Sequence, residues 1–175
     1  MKNSIFIIVI ILYQSLFLNN VFSKEIEFNA TDIEVVENQN LTIANNGSAI
    51  IKDDGIIIEG VKIKYFKDQS LIFVNEGIIK QIDRNLKINS NTIEYYIDEG
   101  KINFTNKIII NDQINNLIIY SDKINYNIKN QIILGESKSK IIDEFDNTYV
   151  VDDFEYSIKD KNLTKNKERN NSIII

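Results

Sequence analysis

The sequence predicts an all-β protein whose long antiparallel strands form a roll or trough with open ends. Two observations carry this prediction. Hydrophobic residues make up 43% of the 175-residue chain, and most of them are Ile, Phe and Tyr, which favour strands. An apolar pattern also recurs along the chain, with its tyrosines 30, 31 and 30 residues apart, and a fixed period in this range is typical of repeat architectures.

The repeat is clearest in residues 60–77, which have the pattern strand, polar turn, strand. Its Ile63-x-Tyr65 recurs downstream, and one period upstream Ile33-x-Val35 fills the same position without the ring. After each turn a second apolar strand follows, and it recurs with the same period. The later copies are Ile93-x-Tyr95, Ile124-x-Tyr126 and Phe154-x-Tyr156, and the second-strand positions are Leu41, Leu71, Ile102, Ile132 and Leu163.

The strands follow one another with short connections, which makes consecutive strands antiparallel neighbours. The second of them contains Asn45-Asn46-Gly47, a sequence typical of a bulge or bend. A hairpin turn is predicted at Asp98-Glu99-Gly100. The predicted strands are residues 26–36, 41–52, 56–66, 71–82, 86–97, 101–110, 117–128, 132–142 and 149–158.

A regular meander of this kind can close into a barrel, stack as a solenoid or fold into a two-layered trough. The two-strand unit of about 30 residues is too long for one turn of most parallel β-helices, and the hairpin turns favour antiparallel pairing. Apolar runs at 108–110 and 117–120 suggest strands packed on both faces. The trough therefore fits best.

Composition excludes several kinds of chemistry. The chain has no Cys and no His, so disulfides, thiolate catalysis and Ser-His-Asp or Cys-His nucleophiles cannot form. Its net charge of −5, without a basic run, disfavours nucleic acid and anionic membrane surfaces. Asp53-Asp54 and Asp152-Asp153 are expected turn residues rather than a metal or catalytic pair. We therefore expect no enzyme activity, no metal and no cofactor.

The first 23 residues have the pattern of a secretory signal peptide: a short positive start, an apolar run at 5–18, and small or tolerated residues before a cleavage site after Ser23. The alternative is an uncleaved inner-membrane anchor, although polar residues interrupt the run. A leader of this type predicts a location in the bacterial envelope. The expected organisation is a leader at 1–23, one domain at 24–163, and a polar tail or truncated continuation at 164–175.

One motif occurs in four copies along the chain. The copies are Ala30-Thr-Asp-Ile-Glu-Val35, Ser90-Asn-Thr-Ile-Glu-Tyr95, Ser121-Asp-Lys-Ile-Asn-Tyr126 and Val151-Asp-Asp-Phe-Glu-Tyr156. They resemble the OstA-like domain of the lipopolysaccharide transport system, and the resemblance covers nearly all of residues 24–163. The small Ala of the family motif survives only at the first copy, and residues 61–65 lack its acidic residue.

The resemblance implies a β-jellyroll, or β-taco, with a V-shaped cross-section. It implies that lipopolysaccharide acyl chains bind along an apolar groove and that other OstA-like jellyrolls of the transport bridge dock edge to edge. The family contains a soluble periplasmic bridge protein and the N-terminal part of a larger outer-membrane assembly protein. Both alternatives stay open for this chain, which is expected in the periplasm in association with the outer membrane.

The side chains that the pattern places inward either line such a groove or serve as ordinary cross-strand packing. The groove-lining residues predicted on this basis are Ile63, Tyr65, Leu71, Phe73, Ile93, Tyr95, Ile102, Phe104, Ile124, Tyr126, Ile132, Leu134, Phe154 and Tyr156. Two other functions remain open. One is an exported structural or adhesive β-repeat protein with a filled core, and the other is an inner-membrane-anchored jellyroll of the same transport system.

Overall fold

The computed structural model describes residues 24–165, so the predicted leader and most of the polar tail lie outside the described residues. The described chain forms twelve β-strands in one sheet, joined by turns and four short 3₁₀ segments. Within residues 24–165 there is no helix long and apolar enough to cross a membrane. The predicted all-β class is confirmed.

Seven long strands come first, and five strands of four residues follow. The long strands are β1 (Ile26–Val36), β2 (Leu41–Ile51), β3 (Ile56–Phe66), β4 (Leu71–Gln81), β5 (Leu86–Tyr96), β6 (Lys101–Asp112) and β7 (Leu117–Asn127). The short strands are β8 (Ile132–Gly135), β9 (Ser139–Ile142), β10 (Thr148–Val151), β11 (Phe154–Ser157) and β12 (Asn162–Lys165).

Every strand pairs antiparallel, and β1 to β7 pair in chain order. Beyond β7 the sheet divides, because β8 pairs with one half of β7 and β9 with the other. The strand β11 then pairs with β8, and β10 pairs with β9. The strands predicted at 132–142 and 149–158 therefore exist, but each is interrupted in its middle. The sheet is a long-stranded antiparallel meander that does not close on itself.

Each turn contains one residue in the left-handed conformation, and these residues recur along the whole described chain. They are fifteen residues apart, except for one interval of sixteen, at Asn40, Gly55, Ser70, Asn85, Gly100, Asn116, Gln131, Asp146 and Lys161. Asn and Gly predominate because they tolerate positive φ best. The structural unit is thus one strand and one turn. The 30-residue period of the sequence arises because alternate turns lie at opposite ends of the strands.

The turns form two rims. The first rim consists of the turns at 37–40, 67–70, 97–100, 128–131 and 158–161, and the second rim of those at 52–55, 82–85, 113–116 and 143–147. Successive turns of a rim are joined by backbone hydrogen bonds. On the first rim the amide of Lys67 donates to the carbonyl of Asn40 (2.9 Å), and on the second rim that of Gln113 donates to Asn85 (3.2 Å). The bonds hold the turns in register along each rim.

The strands bend in their middle, where the ladder pairing is interrupted. In β2, Ala44 and Gly47 both face inward although they are three positions apart. Asn46, which lies between them, has a φ of 47° and no pairing partner. The interruption turns the following side chains over, and from β5 to β7 it is also a shift of register, as in a β-bulge. Because the bends align across the sheet, the sheet folds into two halves whose inner faces meet.

Small residues line the inside of the bend. A Cβ atom on Gly47 would overlap the carbonyl oxygen of Asn29 and the backbone of Ala30, and one on Gly77 would lie 2.9 Å from the carbonyl oxygen of Glu59. In β5 the row continues as Ser90, whose hydroxyl lies within hydrogen-bonding distance of two backbone carbonyls. The halves can approach only where side chains are this small.

We predict that Gly47→Val destabilises the protein by about 1–3 kcal/mol, because the added side chain overpacks the bend. The measurement is the free energy of unfolding from urea titration. Gly55→Asn is the matched control, since Gly55 (φ 62°) lies in a turn with room for a Cβ atom. Asn already occupies the equivalent turn position at Asn40. Equal effects of the two substitutions would contradict the assigned role of the bend.

Candidate functional site

The candidate site is the apolar interior between the two halves of the sheet. In the half that ends at the first rim, a cross-strand ladder runs from Tyr65 through Ile72, Tyr95 and Ile102 to Tyr126, with each residue directly opposite the next. All of them except Tyr65 are fully buried. Directly opposite residues of antiparallel strands share one face, so the ladder defines the inner face of the sheet.

Ten of the fourteen predicted groove residues belong to this inner face. Their side chains pack in one apolar cluster together with residues of the second-rim half. The contact of these side chains with a lipid stays a prediction. The ten are Ile63, Tyr65, Ile93, Tyr95, Ile102, Phe104, Ile124, Tyr126, Phe154 and Tyr156.

The inward orientation predicted for the other four residues, Leu71, Phe73, Ile132 and Leu134, is wrong. Phe73 lies opposite Lys64 and Glu94, on the outer face, and each of the four is only partly buried. The prediction placed these four residues one position out of step with the inward residues. Because adjacent residues of a strand point to opposite faces, a shift of one position moves a side chain to the outer face.

A constant spacing in the sequence identifies the residues that do point inward. Matching the copies by residue type alone obscured this spacing. Each inward residue of the following strand comes seven positions after a tyrosine, as in Tyr65 to Ile72 and Tyr126 to Ile133. Leu71 and Ile132 lie only six positions after those tyrosines. The sequence contained the signal, since Tyr95 to Ile102 already has the seven-residue spacing.

Three tyrosines tie the two halves of the sheet together. The hydroxyl of Tyr126 donates to Oε1 of Gln81 at 2.6 Å, and that of Tyr156 donates to Oδ2 of Asp112 at 2.6 Å. Tyr95 donates in the same way to Asp54. Each tyrosine lies near the first rim and each acceptor near the second. We call these three contacts the tyrosine ties, and the sequence analysis missed them because they join residues 41 to 45 positions apart.

Burial controls the ionisation of these hydroxyls. It raises the pKa of Tyr126 to about 12, against the opposing effect of the nearby Arg84 guanidinium. Burial, followed by the hydrogen bond to a carboxylate, raises the pKa of Tyr95 and Tyr156 well above the usual tyrosine range. The protonated hydroxyl is the form that can donate to the opposite rim. The ties are therefore intact throughout the neutral pH range.

The acceptors of the ties are themselves held in place. Asp112 is fully buried and also accepts hydrogen bonds from the backbone amide (3.0 Å) and side-chain amide (2.8 Å) of Asn115. Asp54 forms a salt bridge with Lys24 (2.7 Å), whose ammonium group also reaches the carbonyl oxygen of Ile97 on the first rim. Two of the three acceptors, Asp54 and Asp112, are thus held by contacts besides the tie.

The interior opens at the amino-terminal edge of the sheet. On β1 the inward residues Ile33 and Val35 are 46% and 65% exposed, whereas their counterparts on later strands are buried. The rings of Phe28 and Tyr65 lie beside this opening with centroids 6.3 Å apart. Among residues 24–165, only one edge of β1 is paired. We call this opening, formed by Phe28, Ile33, Val35 and Tyr65, the amino-terminal mouth.

A second opening lies between the rims near the other end of the described chain. It is a cavity of about 350 Å³ with Ile114 and Phe145 on the second rim and Leu163 on the opposite side. Tyr156, the last of the tied tyrosines, also lines it, and Lys161 stands at its border. We call this cavity the rim slot. Both openings join the same apolar cluster to solvent.

The turn aspartates do not form a metal site. Asp54 is engaged by Lys24 and Tyr95, while Asp152 and Asp153 occupy the break between β10 and β11. Within residues 24–165 no group of three or more His, Cys, Asp or Glu side chains could hold a metal ion.

Comparison with known proteins gives a similarity in fold. No protein-family model and no curated protein sequence matches this chain. Its fold is similar to the crystal structure of LptH from Pseudomonas aeruginosa, the LptA-homologous periplasmic component of the lipopolysaccharide transport device. The TM-score is 0.56 at 13% sequence identity, over 63% of this chain and 80% of LptH. The similarity confirms the predicted jellyroll fold.

We predict that Tyr126→Phe lowers the free energy of unfolding by about 1–3 kcal/mol, because it leaves buried Gln81 without its donor. Tyr96→Phe serves as the control. Tyr96 lies on the outer face, and its hydroxyl makes only a long contact (3.4 Å) with Glu94. A control effect within about 0.5 kcal/mol is expected. A loss in the Tyr96 variant equal to that in the Tyr126 variant would contradict the tie.

Stability is expected to fall at high pH. An unfolded tyrosine titrates near 10, and the folded pKa of Tyr126 is raised to about 12, so the folded state favours the protonated form. The resulting stabilisation is complete below about pH 10 and is lost as the pH rises through about 12. Urea titrations across this range should show a weaker decline in Tyr126→Phe than in the wild-type protein. An identical decline would contradict the assignment.

Proposed function

We propose that this protein is a periplasmic module that carries lipopolysaccharide by holding its acyl chains against the apolar interior of the jellyroll. The observation that carries the proposal is the amino-terminal mouth, where the inward residues Ile33 and Val35 continue the interior ladder out to solvent. The fold similarity to LptH, a periplasmic component of a lipopolysaccharide transport device, supports the same function.

The chemistry of the interior suits a sliding apolar chain. Its side chains are almost all Ile, Phe, Val and Tyr, repeated from strand to strand at equivalent positions. Burial of apolar surface contributes roughly 25 cal/mol per Å² and is non-directional, so equivalent positions bind a chain with similar free energy. A ligand held by many such contacts can move along the interior without having to leave one deep site.

The interior is filled in the described structure, so an acyl chain has to enter from an opening. The mouth and the rim slot are the two places where apolar inner residues reach solvent. Between them the tyrosine ties join the rims, and each tie is a single side-chain hydrogen bond to Asp54, Gln81 or Asp112. We propose that acyl chains displace interior side chains from the ends inward as individual ties open.

The free edge of β1 provides a docking surface for the partner that delivers or receives the lipid. An unpaired strand edge is normally covered or charged because it can pair with another sheet. Here the edge adjoins the mouth, so a jellyroll that adds its own edge strand to β1 would extend the apolar interior without a gap. We propose other OstA-like jellyrolls as these partners, and the periplasm, in association with the outer membrane, as the location.

A second candidate is an exported structural β-repeat protein that binds no lipid. The filled interior and the three tyrosine ties favour it, because a permanently closed core would have the same buried ladder. The exposed apolar mouth argues against this candidate. A contiguous apolar surface open to water is typical of a site that a ligand or a partner covers. Lipid contact at the mouth separates the two candidates.

We predict that a photo-crosslinking amino acid at position 35 captures lipopolysaccharide in the periplasm and that the same amino acid at position 61 does not. Val35 and Val61 form a matched pair, because both are exposed valines (65% and 63%) of long strands. Val35 faces the mouth, whereas Val61 lies on the outer side of the bend, where the pairing of β3 is interrupted.

Labelling by lipopolysaccharide is read on immunoblots after irradiation. Equal labelling at the two positions, or none at either, would contradict the lipid-carrying function and favour the structural repeat. Crosslinks from position 35 to another protein, without any to lipid, would support β1 as a docking edge and would contradict the proposed binding of acyl chains in the interior.

A further inference from the structure

A hollow of about 520 Å³ lies on the outer face of the sheet, away from the interior, the mouth and the rim slot. Its floor is a cross-strand row of Ile109 on β6, Tyr120 on β7, Lys140 on β9 and Val150 on β10. The three apolar members of this row are 39%, 40% and 60% exposed, which places them among the nine exposed large apolar residues of the described range. The lipid path proposed above does not use them.

The hollow is basic although the whole chain is acidic. Lys107, Lys138 and Lys140 line it, and Asp122 supplies the one carboxylate of the lining. None of the three lysines forms a salt bridge with another residue of the described range 24–165. By contrast, the neighbouring Lys123 is paired with Glu136. The net charge of −5 makes this local positive excess a distinct feature of the molecule.

The apolar and basic parts of the hollow are spatially ordered. The ammonium group of Lys140 stands over the ring of Tyr120, 5.9 Å from its centroid, and so borders the apolar floor. Lys107 and Lys138 lie at the bend, Lys107 in the bulge of β6 and Lys138 in the break between β8 and β9. Lys107 and Lys138 therefore make one end of the hollow cationic, and the floor beyond them is apolar except for Lys140, which lies between Tyr120 and Val150.

We propose that this hollow binds a small anionic amphiphile, with its phosphate or carboxylate group between Lys107 and Lys138 and its apolar body along the floor. The volume lies within the range of small-ligand sites. Contact between the apolar floor and the apolar body of the ligand contributes non-directional affinity. The lysines favour an anionic head group over an uncharged one. The site is distinct from the proposed lipid path, since its lysines and the exposed residues of its floor lie on the outer face.

An acidic peptide fits the hollow less well than a small amphiphile. Such a peptide would extend beyond the lysines along the free edge of β10, and acidic residues stand at both ends of that strand. Asp146 precedes β10, and Asp152 and Asp153 follow it. Like charges at both ends repel an acidic chain, whereas a single head group stays within the basic end.

The test is amide NMR titration of the protein with dodecyl phosphate and dodecanoate, each below its micelle concentration, and with uncharged dodecyl glucoside. Both anions should give saturable shifts at residues 107–109, 120–122, 138–140 and 150. The double variant Lys107→Gln, Lys138→Gln should bind about fivefold to tenfold more weakly, as expected for two exposed charge contacts. A preference for phosphate over carboxylate would identify the head group.

Lys62→Gln is the matched control, because Lys62 is exposed on the same bend, on β3, and lies outside the hollow. It should bind both anions as the wild-type protein does. Shifts confined to the mouth residues, equal affinity of the double variant, or stronger binding of the glucoside would each overturn the proposal. Tighter binding of an acidic decapeptide than of dodecyl phosphate would also overturn it, in favour of a protein partner.

Discussion

The bend in the middle of every long strand is the constraint on which the structure depends. A flat sheet of these strands would leave one apolar face in water, and residues 24–165 contain no second sheet or helix to cover it. The bend solves the problem by folding the sheet onto itself. On each long strand except β6 it combines an outward residue without a ladder partner and a small residue beside it, as with Asn46 and Gly47. Larger side chains at this row would hold the halves apart.

The row of small residues changes along the sheet from Gly to Ser, and the change has a physical reason. Towards β1 the backbone of neighbouring strands approaches too closely for any side chain, as at Gly47. Further along, Ser90, Ser121 and Ser139 are buried, and their hydroxyls bond to backbone carbonyls or to one another. The bulges leave backbone groups without ladder partners, and these hydroxyls satisfy some of them.

Closure of the rims is a separate matter from the bend. The two halves could pack together and still leave the rims apart, as an open trough would. The tyrosine ties close the rims, because a Tyr side chain is long enough to cross the interior and has a polar group at its end. Tyr95, Tyr126 and Tyr156 therefore each contribute both apolar area and a hydrogen bond that holds the rims together. Toward β1 the ladder position is occupied by Val35, which has no hydroxyl, and there the interior is open.

The sequence by itself determined the strands, their antiparallel order and the inward position of each Ile-x-Tyr pair. These follow from local alternation and from a period, both of which are readable without the fold. Even the bend was visible once, at Asn45-Asn46-Gly47, and the hairpin at Asp98-Glu99-Gly100 is present as predicted. What failed was the assignment of Leu71 and Ile132, where similarity of residue type was given more weight than parity.

Only the tertiary structure decided how the halves meet. The partners of Tyr95, Tyr126 and Tyr156 are Asp54, Gln81 and Asp112, which share no residue type and no local pattern. They become neighbours because the fold superimposes opposite ends of strands that are far apart in the chain. The outer hollow has the same origin, since it draws its lysines and apolar floor from four strands. The repeat period along the sequence determines how neighbouring strands pair. It contains no information about which parts of the sheet come into contact when the sheet folds onto itself.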